Sequence, residues 1–354
     1  MIIKKINKQT LSEFINSEAY RQMPVIPISP HRGLSHIKNP RAKDKDILLL
    51  LLYEGDEMIG YLGLLPDDLY VKDKIIHCAW MSCIWVSKNA RGKGVAKKMV
   101  QKAYEVWDGK ILATEFTPEA YLLYEKLKLF DDFLTKKGWR IYTRFVTAEV
   151  LPRKKSWLKL FSLFLKLFDG SANLLVDKKW DKQFKSLDFK NFIFAENKFS
   201  GENPITGENG FNRTAKEISW MITYPWLKEY EEDVDKKYHF SSSAKQVKNI
   251  LVEDTQNGKR MLMFVRDSHL KTSFVWGNWH RDAIKKVLFY VIRTYKISVI
   301  TSYFPEITEV MIDLPYLFQK PQERRYLIGK KMKASFPTDF SCFVQDGDGD
   351  CGFT

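Results

Sequence analysis

Ile84-Trp85-Val86-Ser87-Lys88-Asn89-Ala90-Arg91-Gly92-Lys93-Gly94-Val95-Ala96 is the stretch that decides how this chain reads. Its first three residues close a run from Ile75 that is rich in β-branched and aromatic side chains, the composition of a strand. Beyond the glycines, Val95, Ala96, Met99, Val100, Ala103, Val106 and Trp107 recur at three- and four-residue steps. That spacing gives a helix from Gly92 to Trp107 one buried face. The local order is strand, glycine-containing turn, helix. A helix start offers free backbone N–H groups and the positive end of the helix dipole. Gly92 and Gly94 remove the side chains that would hold an anion off, and Lys93, Lys97 and Lys98 add positive charge. These are the demands of a cofactor that carries a pyrophosphate.

Working outward, Ile47–Tyr53 and Met58–Leu65 read as strands joined by the turn Glu54-Gly55-Asp56-Glu57. Ile75–Val86 is a third strand and Lys110–Phe116 a fourth, after a stop at Asp108-Gly109. Pro118 opens a helix expected to run to about Lys137 and to end at Gly138, with Trp139–Val150 as a further strand. The C-terminal half echoes this order. Strands are expected at Met261–Val265 and Ser273–Trp276, a helix at Trp279–Tyr295 and a strand at Ile297–Tyr303. A short helix at Glu306–Met311 and strands at Tyr326–Lys330 and Ser341–Val344 complete it, and Asn197–Asn212 reads as loop. At roughly 100–200 residues per domain, 354 residues suggest two domains.

The central turn resembles the acetyl-CoA signature of the GNAT N-acetyltransferase superfamily, Gln/Arg-x-x-Gly-x-Gly/Ala. Arg91, Gly94 and Ala96 hold its three marked positions, and Val86 sits where that family has a strand valine. A Walker A loop is excluded, because no Gly-Lys-Ser/Thr ending follows, and the Rossmann spacing fits poorly. The resemblance covers about residues 1–150. It implies an α/β GNAT fold in two domains, a mixed, mostly antiparallel sheet flanked by helices. The expected division is a GNAT domain at 1–150, a basic amphipathic linker at 151–196, and a degenerate GNAT-like domain at 197–354. The second half has no such loop: its helix starts at Trp276-Gly277-Asn278-Trp279, without paired glycines.

The resemblance implies acetyl-CoA as acyl donor. It assigns the cofactor to Ile84, Val86, Arg91, Gly92, Lys93, Gly94, Val95 and Ala96. Backbone N–H groups around Cys83–Val86 would polarise the thioester carbonyl, an effect worth about 10²–10³ in rate. The acceptor would be a small-molecule or peptide amine, with an amino sugar or cell-surface precursor as first expectation. In the family a tyrosine of the next helix protonates the leaving thiolate. Tyr124 fits, since Thr117, Ala120 and Tyr124 follow the family's Asn-x-x-Ala-x-x-x-Tyr arrangement with Thr for Asn. The family's Gly-aromatic pair normally follows four or five residues later, whereas Gly138-Trp139 lies further on. Either the helix carries an insertion, or Leu134 takes the position and no tyrosine acid exists; Tyr121 is a second candidate. Glu115 and His77 are the candidates to take the amine's proton. Each of these side chains also reads as an ordinary structural residue.

The formal charge of +14 draws the chain to polyanions without choosing among them. A binding protein that keeps the CoA fold and contacts membrane or nucleic acid through its basic surface is the rival reading. Nucleic acid is not expected, because the basic residues are scattered and no zinc-finger or RNP pattern appears. The four cysteines form no C-x-x-C pair and read as reduced thiols of a cytoplasmic protein. No apolar leader follows Met1, and the run Ile47–Tyr53 is too short to span a bilayer. Arg153–Phe168 is basic and apolar over most of its circumference. Its plainer reading is a helix buried between the two halves, and its other reading a peripheral membrane helix. Trp220–Trp226 reads as core, or as the lining of an acceptor pocket. Asp346-Gly347-Asp348-Gly349-Asp350 lacks the sixth-place glycine and the twelfth ligand of an EF-hand, so no metal is expected and an acidic turn or tail is.

Overall fold

Five consecutive leucines, Leu48–Leu52, are all buried, and a strand covered on both faces reads as such an unbroken apolar run. The computed structural model of the protein describes residues 1–199 and 209–353. Twelve strands are formed among them: β1 Ile2–Asn7, β2 Ile47–Glu54, β3 Glu57–Val71, β4 Lys74–Val86, β5 Ile111–Thr114 and β6 Phe130–Tyr142, then β7 Phe192–Glu196, β8 Val247–Asp254, β9 Lys259–Arg266, β10 His269–Trp276, β11 Val299–Ser302 and β12 Phe318–Gly329. The helices are α1 Lys8–Asn16, α2 Glu18–Gln22, α3 Pro30–Lys38, α4 Val95–Val106, α5 Pro118–Leu127 and α6 Thr147–Lys154, then α7 Ser162–Phe184, α8 Ala215–Thr223, α9 Arg281–Thr294, α10 Pro305–Asp313 and α11 Lys330–Lys333.

The chain forms two units. The first is Met1–Lys136, Asn197–Val247 and Arg324–Thr354, and the second is Lys137–Glu196 and Lys248–Glu323. The chain thus returns to its first unit twice, where the sequence suggested successive segments divided at 150/151 and 196/197. The part of the expected loop Asn197–Asn212 numbered 200–208 lies outside the described residues.

In the first unit the strands run in the order β1-β2-β3-β4-β5-β12, antiparallel except for the parallel pair β4/β5. Alternation along β2 divides its leucines between two cores. Leu50 and Leu52 face Val95, Met99, Ala103 and Tyr124 of α4 and α5, while Leu49 and Leu51 face Leu11, Tyr20 and Ile26. Helices therefore cover both faces of the sheet. At Gly60 of β3, a Cβ would stand 2.9 Å from a Val95 methyl, so α4 lies close against the sheet there.

The second unit orders its strands β6-β11-β10-β9-β8-β7, antiparallel in β6/β11 and β9/β10 and parallel in β10/β11. Its core joins Ile284, Val287, Leu288 and Val291 of α9 to Met261, Met263 and Val265 of β9. The hairpin β9/β10, the helix α9 and the parallel strand β11 repeat the order of β3/β4, α4 and β5, as the echo in the sequence led us to expect.

Four expectations need correction. The helix from Pro118 ends at Leu127, where Lys128 adopts a left-handed φ of 55°. Residues 130–142 are β6, and Gly138 is not a helix stop. It lies in a strand so close to its neighbour that a Cβ would collide with the Ser302 carbonyl oxygen. Helix-favouring lysines in Phe130–Lys137 hid a strand whose neighbours decide its conformation. Of the strand expected at Trp139–Val150 only residues to Tyr142 are extended, and α6 begins at Thr147. Ser341–Val344 makes only an isolated bridge, Phe343 to Gly210. Finally, Arg153–Phe168 is not buried: Leu160 is 86% exposed and Phe164 67%.

Candidate functional site

The turn before α4 is open. Gly92 and Gly94 have φ of 80° and 76°, a region that favours glycine, and nothing lies within 4 Å of the position a Cβ would take at either. Gly94 is the N-cap of α4, with no side chain to satisfy the first-turn N–H groups, and no acidic residue stands in that turn. Arg91, Gly92, Lys93 and Gly94 are exposed, whereas Val95 is buried and anchors the helix start in the core. Lys93 reaches Glu54 at 3.6 Å. Backbone N–H groups, positive charge and free space therefore meet at one place, which fits a pyrophosphate.

Along β4 the ladder to β3 pairs Tyr61 with Trp85 and Gly63 with Ser82. Two residues of β4, Cys83 and Ile84, thus stand opposite Leu62 alone, and Cys83 has a φ of 56°. This is a β-bulge with a left-handed residue, a device that turns backbone groups out of the ladder. On its other side β4 pairs with β5 only at Ala79–Ile111 and Trp80–Leu112. Past that point the two strands part, and Glu115, just beyond β5, also has a positive φ, 52°. Between them opens a cavity of about 220 Å³ lined by Ser82, Cys83 and Ile84 on one side and by Thr114, Glu115 and Phe116 on the other.

Tyr124 and Asp350 also line this cavity. Thr117 caps α5 by accepting the Ala120 N–H at 3.3 Å, which fixes the helix that carries Tyr124. Tyr124 is buried beside Phe116 and Phe130, and burial, then the nearby Asp350 carboxylate, push its hydroxyl pKa up. Lys128, four residues after Tyr124, takes the left-handed conformation expected of the missing glycine, and Phe130 stands two residues on. α5 ends at Leu127, and Leu134 lies in β6. Tyr121 is tied instead to Arg325, whose guanidinium donates to its hydroxyl at 2.9 Å.

Asp350 was not foreseen. It stands 226 residues from Tyr124 in an acidic run that resembles a tail. The structure folds this run inward. Asp348 and Asp346 are buried and ion-paired, to Arg213 at 3.0 Å and to Lys136 at 2.5 Å. Asp350 is half-buried and accepts a hydrogen bond from Ser82 Oγ at 3.0 Å. Burial raises its pKa, against the pull of Arg32 and Ser82.

Glu115 lies on the cavity wall, but Arg324 donates to its carboxylate at 2.6 Å. His77 is not among the lining residues. It is held between Asp68, 2.7 Å from Nδ1, and Asp46, 2.8 Å from Nε2. Burial opposes its charge, but these hydrogen bonds and charges win and raise its pKa to about 9. Trp220 and Trp226 are buried, donate to Ser35 at 2.8 and 3.0 Å, and pack on Phe353, so that stretch is core. Among the described residues no group of three or more His, Cys, Asp and Glu is placed to hold a metal ion, and no helix is long and apolar enough to cross a membrane.

Residues 15–127 match the model of the acetyltransferase (GNAT) family. The matched segment holds the open turn, the bulge and Tyr124. No curated protein matches the sequence of the chain. Among solved structures, a GCN5-related N-acetyltransferase from Kribbella flavida is similar at 10% identity and a TM-score of 0.46, over 92% of this chain and 71% of that one. A probable N-acyltransferase from Enterococcus faecalis V583 gives 10% identity and a TM-score of 0.48, over 93% and 73%. Eis1 from Mycobacterium abscessus gives 11% and 0.45, over 94% and 75%. The segment 15–127, with a glycine turn that opens α4 and a parted pair β4/β5, is a domain of the GNAT acetyltransferase family.

Proposed function

We propose that the first unit transfers an acetyl or short acyl group from CoA to a primary amine. The observation that carries this is the bulge at Cys83–Ile84, where β4 leaves β5 beside the open glycine turn. Acyl-CoA supplies an activated acyl group as a thioester. Arg91, Gly92, Lys93, Gly94, Val95 and Ala96 would hold its pyrophosphate through backbone N–H groups and charge. Backbone groups of Ile84 and Val86 would run beside its pantetheine arm. N–H groups freed by the bulge would take up charge on the carbonyl oxygen.

Two side chains complete the chemistry. Asp350 takes a proton from the amine as its nitrogen bonds to the acyl carbon. Its raised pKa makes it a stronger base than an ordinary carboxylate. Tyr124 gives its proton to the sulfur as the C–S bond breaks, and its raised pKa keeps that proton in place until then. Glu115, already paired with Arg324, and His77, away from the cavity, are better read as structural residues. A carboxylate and a tyrosine lining one cavity favour an enzyme over a binding protein with the same fold. The acceptor fits the same reading as an amino sugar, a cell-surface precursor or a peptide amine.

The second unit reads as a GNAT-like relative that does not hold CoA. Before α9, Gly277 has a φ of 81°, but the Lys259 side chain stands 3.0 Å from where its Cβ would be, in contrast to the free space at Gly92 and Gly94.

The test is release of free CoA from acetyl-CoA in the presence of a panel of primary amines, alongside thermal unfolding with and without acetyl-CoA. Stabilisation by acetyl-CoA that a folded Gly94→Glu variant loses supports the site, and amine-dependent CoA release supports the activity. No stabilisation at millimolar acetyl-CoA overturns the proposal.

A further inference from the structure

Helix α7 wears its polarity inside out. On its inward side Asp169 is buried, its carboxylate accepting from the Thr147 N–H at 3.0 Å, the Thr147 hydroxyl at 2.6 Å and the Ala148 N–H at 2.9 Å. One turn on, Asn173 is buried and bonds both backbone groups of Phe145, at 2.8 and 2.9 Å. These polar side chains dock the first half of α7 on the second unit. The opposite side carries the apolar residues. Leu163 is 71% exposed, Phe164 67%, Leu167 64% and Leu175 70%, and the 3-10 turn before the helix adds Trp157 at 57% and Leu160 at 86%. Single exposed leucines need no explanation, but a run over several turns marks a surface made to be covered.

The charges say by what. Between residues 153 and 168 stand Arg153, Lys154, Lys155, Lys159 and Lys166, and no acidic residue. A second copy on a symmetric interface would bring the same five cations against these. An anionic lipid surface neutralises them, accepts the leucine and phenylalanine side chains below its headgroups, and lets the lysine stems reach up to the phosphates. No helix among the described residues is long and apolar enough to cross a membrane, so the segment lies on the bilayer and does not span it. We infer that residues 154–175 form an interfacial foot that docks the protein on an anionic bilayer. This inference stands apart from the acyltransfer reading, since none of its residues lines the cavity of the first unit.

The experiment is co-sedimentation of the full chain with phosphatidylcholine vesicles, with and without phosphatidylglycerol, at low and high salt. The wild type is expected to bind the anionic vesicles. Leu160→Ser with Phe164→Ser should weaken that binding by about tenfold or more. Lys154→Ala with Lys155→Ala and Lys159→Ala should remove most of its salt dependence. These side chains are exposed, so the melting temperature should stay near that of the wild type. If the first pair lowers it, Leu163→Ser with Leu167→Ser replaces that pair. A wild type left in the supernatant with anionic vesicles at low salt overturns the inference. So does vesicle binding that no apolar variant weakens. A dimer in sedimentation equilibrium that Leu160→Ser with Phe164→Ser converts to monomer, without vesicle binding, would show that a second copy covers the foot instead.

Discussion

Arg213 Nε donates to Asp348 at 3.0 Å across 135 residues of chain, while its two terminal nitrogens grip Asp67 at 2.8 and 2.6 Å. All three residues are buried, and Arg41, the Trp80 indole and the Asp68 N–H also donate to Asp67. This cluster holds the acidic C-terminal run against β3 and β4, and so places Asp350 at the cavity.

Removing Arg213 leaves two buried carboxylates facing each other. Arg213→Met should therefore cost about 3–5 kcal/mol of unfolding free energy, read from urea melts. The cluster also sets an acid limit. Burial opposes the charge of Asp67, but Arg213 and Arg41 outweigh it and hold its pKa below the usual 3.8. Its contribution is complete above pH 3.8 and is lost as pH falls below that value toward the lowered one. Melts of Asp67→Asn should lose that acid slope.

Asp350→Asn and Tyr124→Phe should each lower kcat by about 10²–10⁴, with little change in KM for acetyl-CoA. The two variants differ in their pH profiles. In the wild type kcat/KM should rise with pH as Asp350 loses its proton, above the range of an ordinary carboxyl. Asp350→Asn should flatten that rise, whereas Tyr124→Phe should keep it. A rise that survives Asp350→Asn would assign the base elsewhere.

The glycines of the turn can be tested without steric conflict, because a Cβ at Gly92 or Gly94 meets nothing. Gly92→Ala and Gly94→Ala should destabilise by about 1–2 kcal/mol each through their left-handed φ alone. Gly94→Glu adds a negative charge where the phosphates would lie. Acetyl-CoA at 100 times its Kd should stabilise the wild type by about 2.7 kcal/mol, and this variant by almost nothing.

His77 gives a pH signature of opposite sign to that of Asp67. Its pKa, raised to about 9, makes its charged form favourable in the folded chain. The contribution, roughly 2–3 kcal/mol, is complete below pH 6.5 and is lost as pH rises through about 9. His77→Gln should remove that alkaline loss in unfolding experiments from pH 6 to 10 while leaving amine acetylation in place.

The residues that build the turn were legible because each acts locally. Gly92 and Gly94 mark a left-handed path, and the spacing of Val95, Met99 and Ala103 marks a buried helix face. The hairpin β2/β3 was equally plain from its leucines and its Glu54–Glu57 turn. What escaped depends on partners far along the chain. Lys128 behaves as a glycine because Phe130 must turn into β6. The Cys83 bulge comes from a mismatch between two strands, and neither strand shows it alone. Asp350 is a cavity residue because Arg213 and Lys136 hold its segment inward. Asp169 and Asn173 break an otherwise apolar helix, yet periodicity does not say that these two face in.

The two sides of the cavity also bear on when the site comes into being. Tyr124 and the bulge are made early, but Asp350 lies beyond every residue of the second unit, Lys137–Glu196 and Lys248–Glu323. The turn proposed to hold the acyl donor is thus synthesised before the second unit, although the core behind it is closed by Leu327 of β12. The side chain proposed to deprotonate the amine arrives only after the second unit has been translated. The core behind the glycine turn and the proposed base are therefore both completed only when the last segment of the first unit, Arg324–Thr354, has been made.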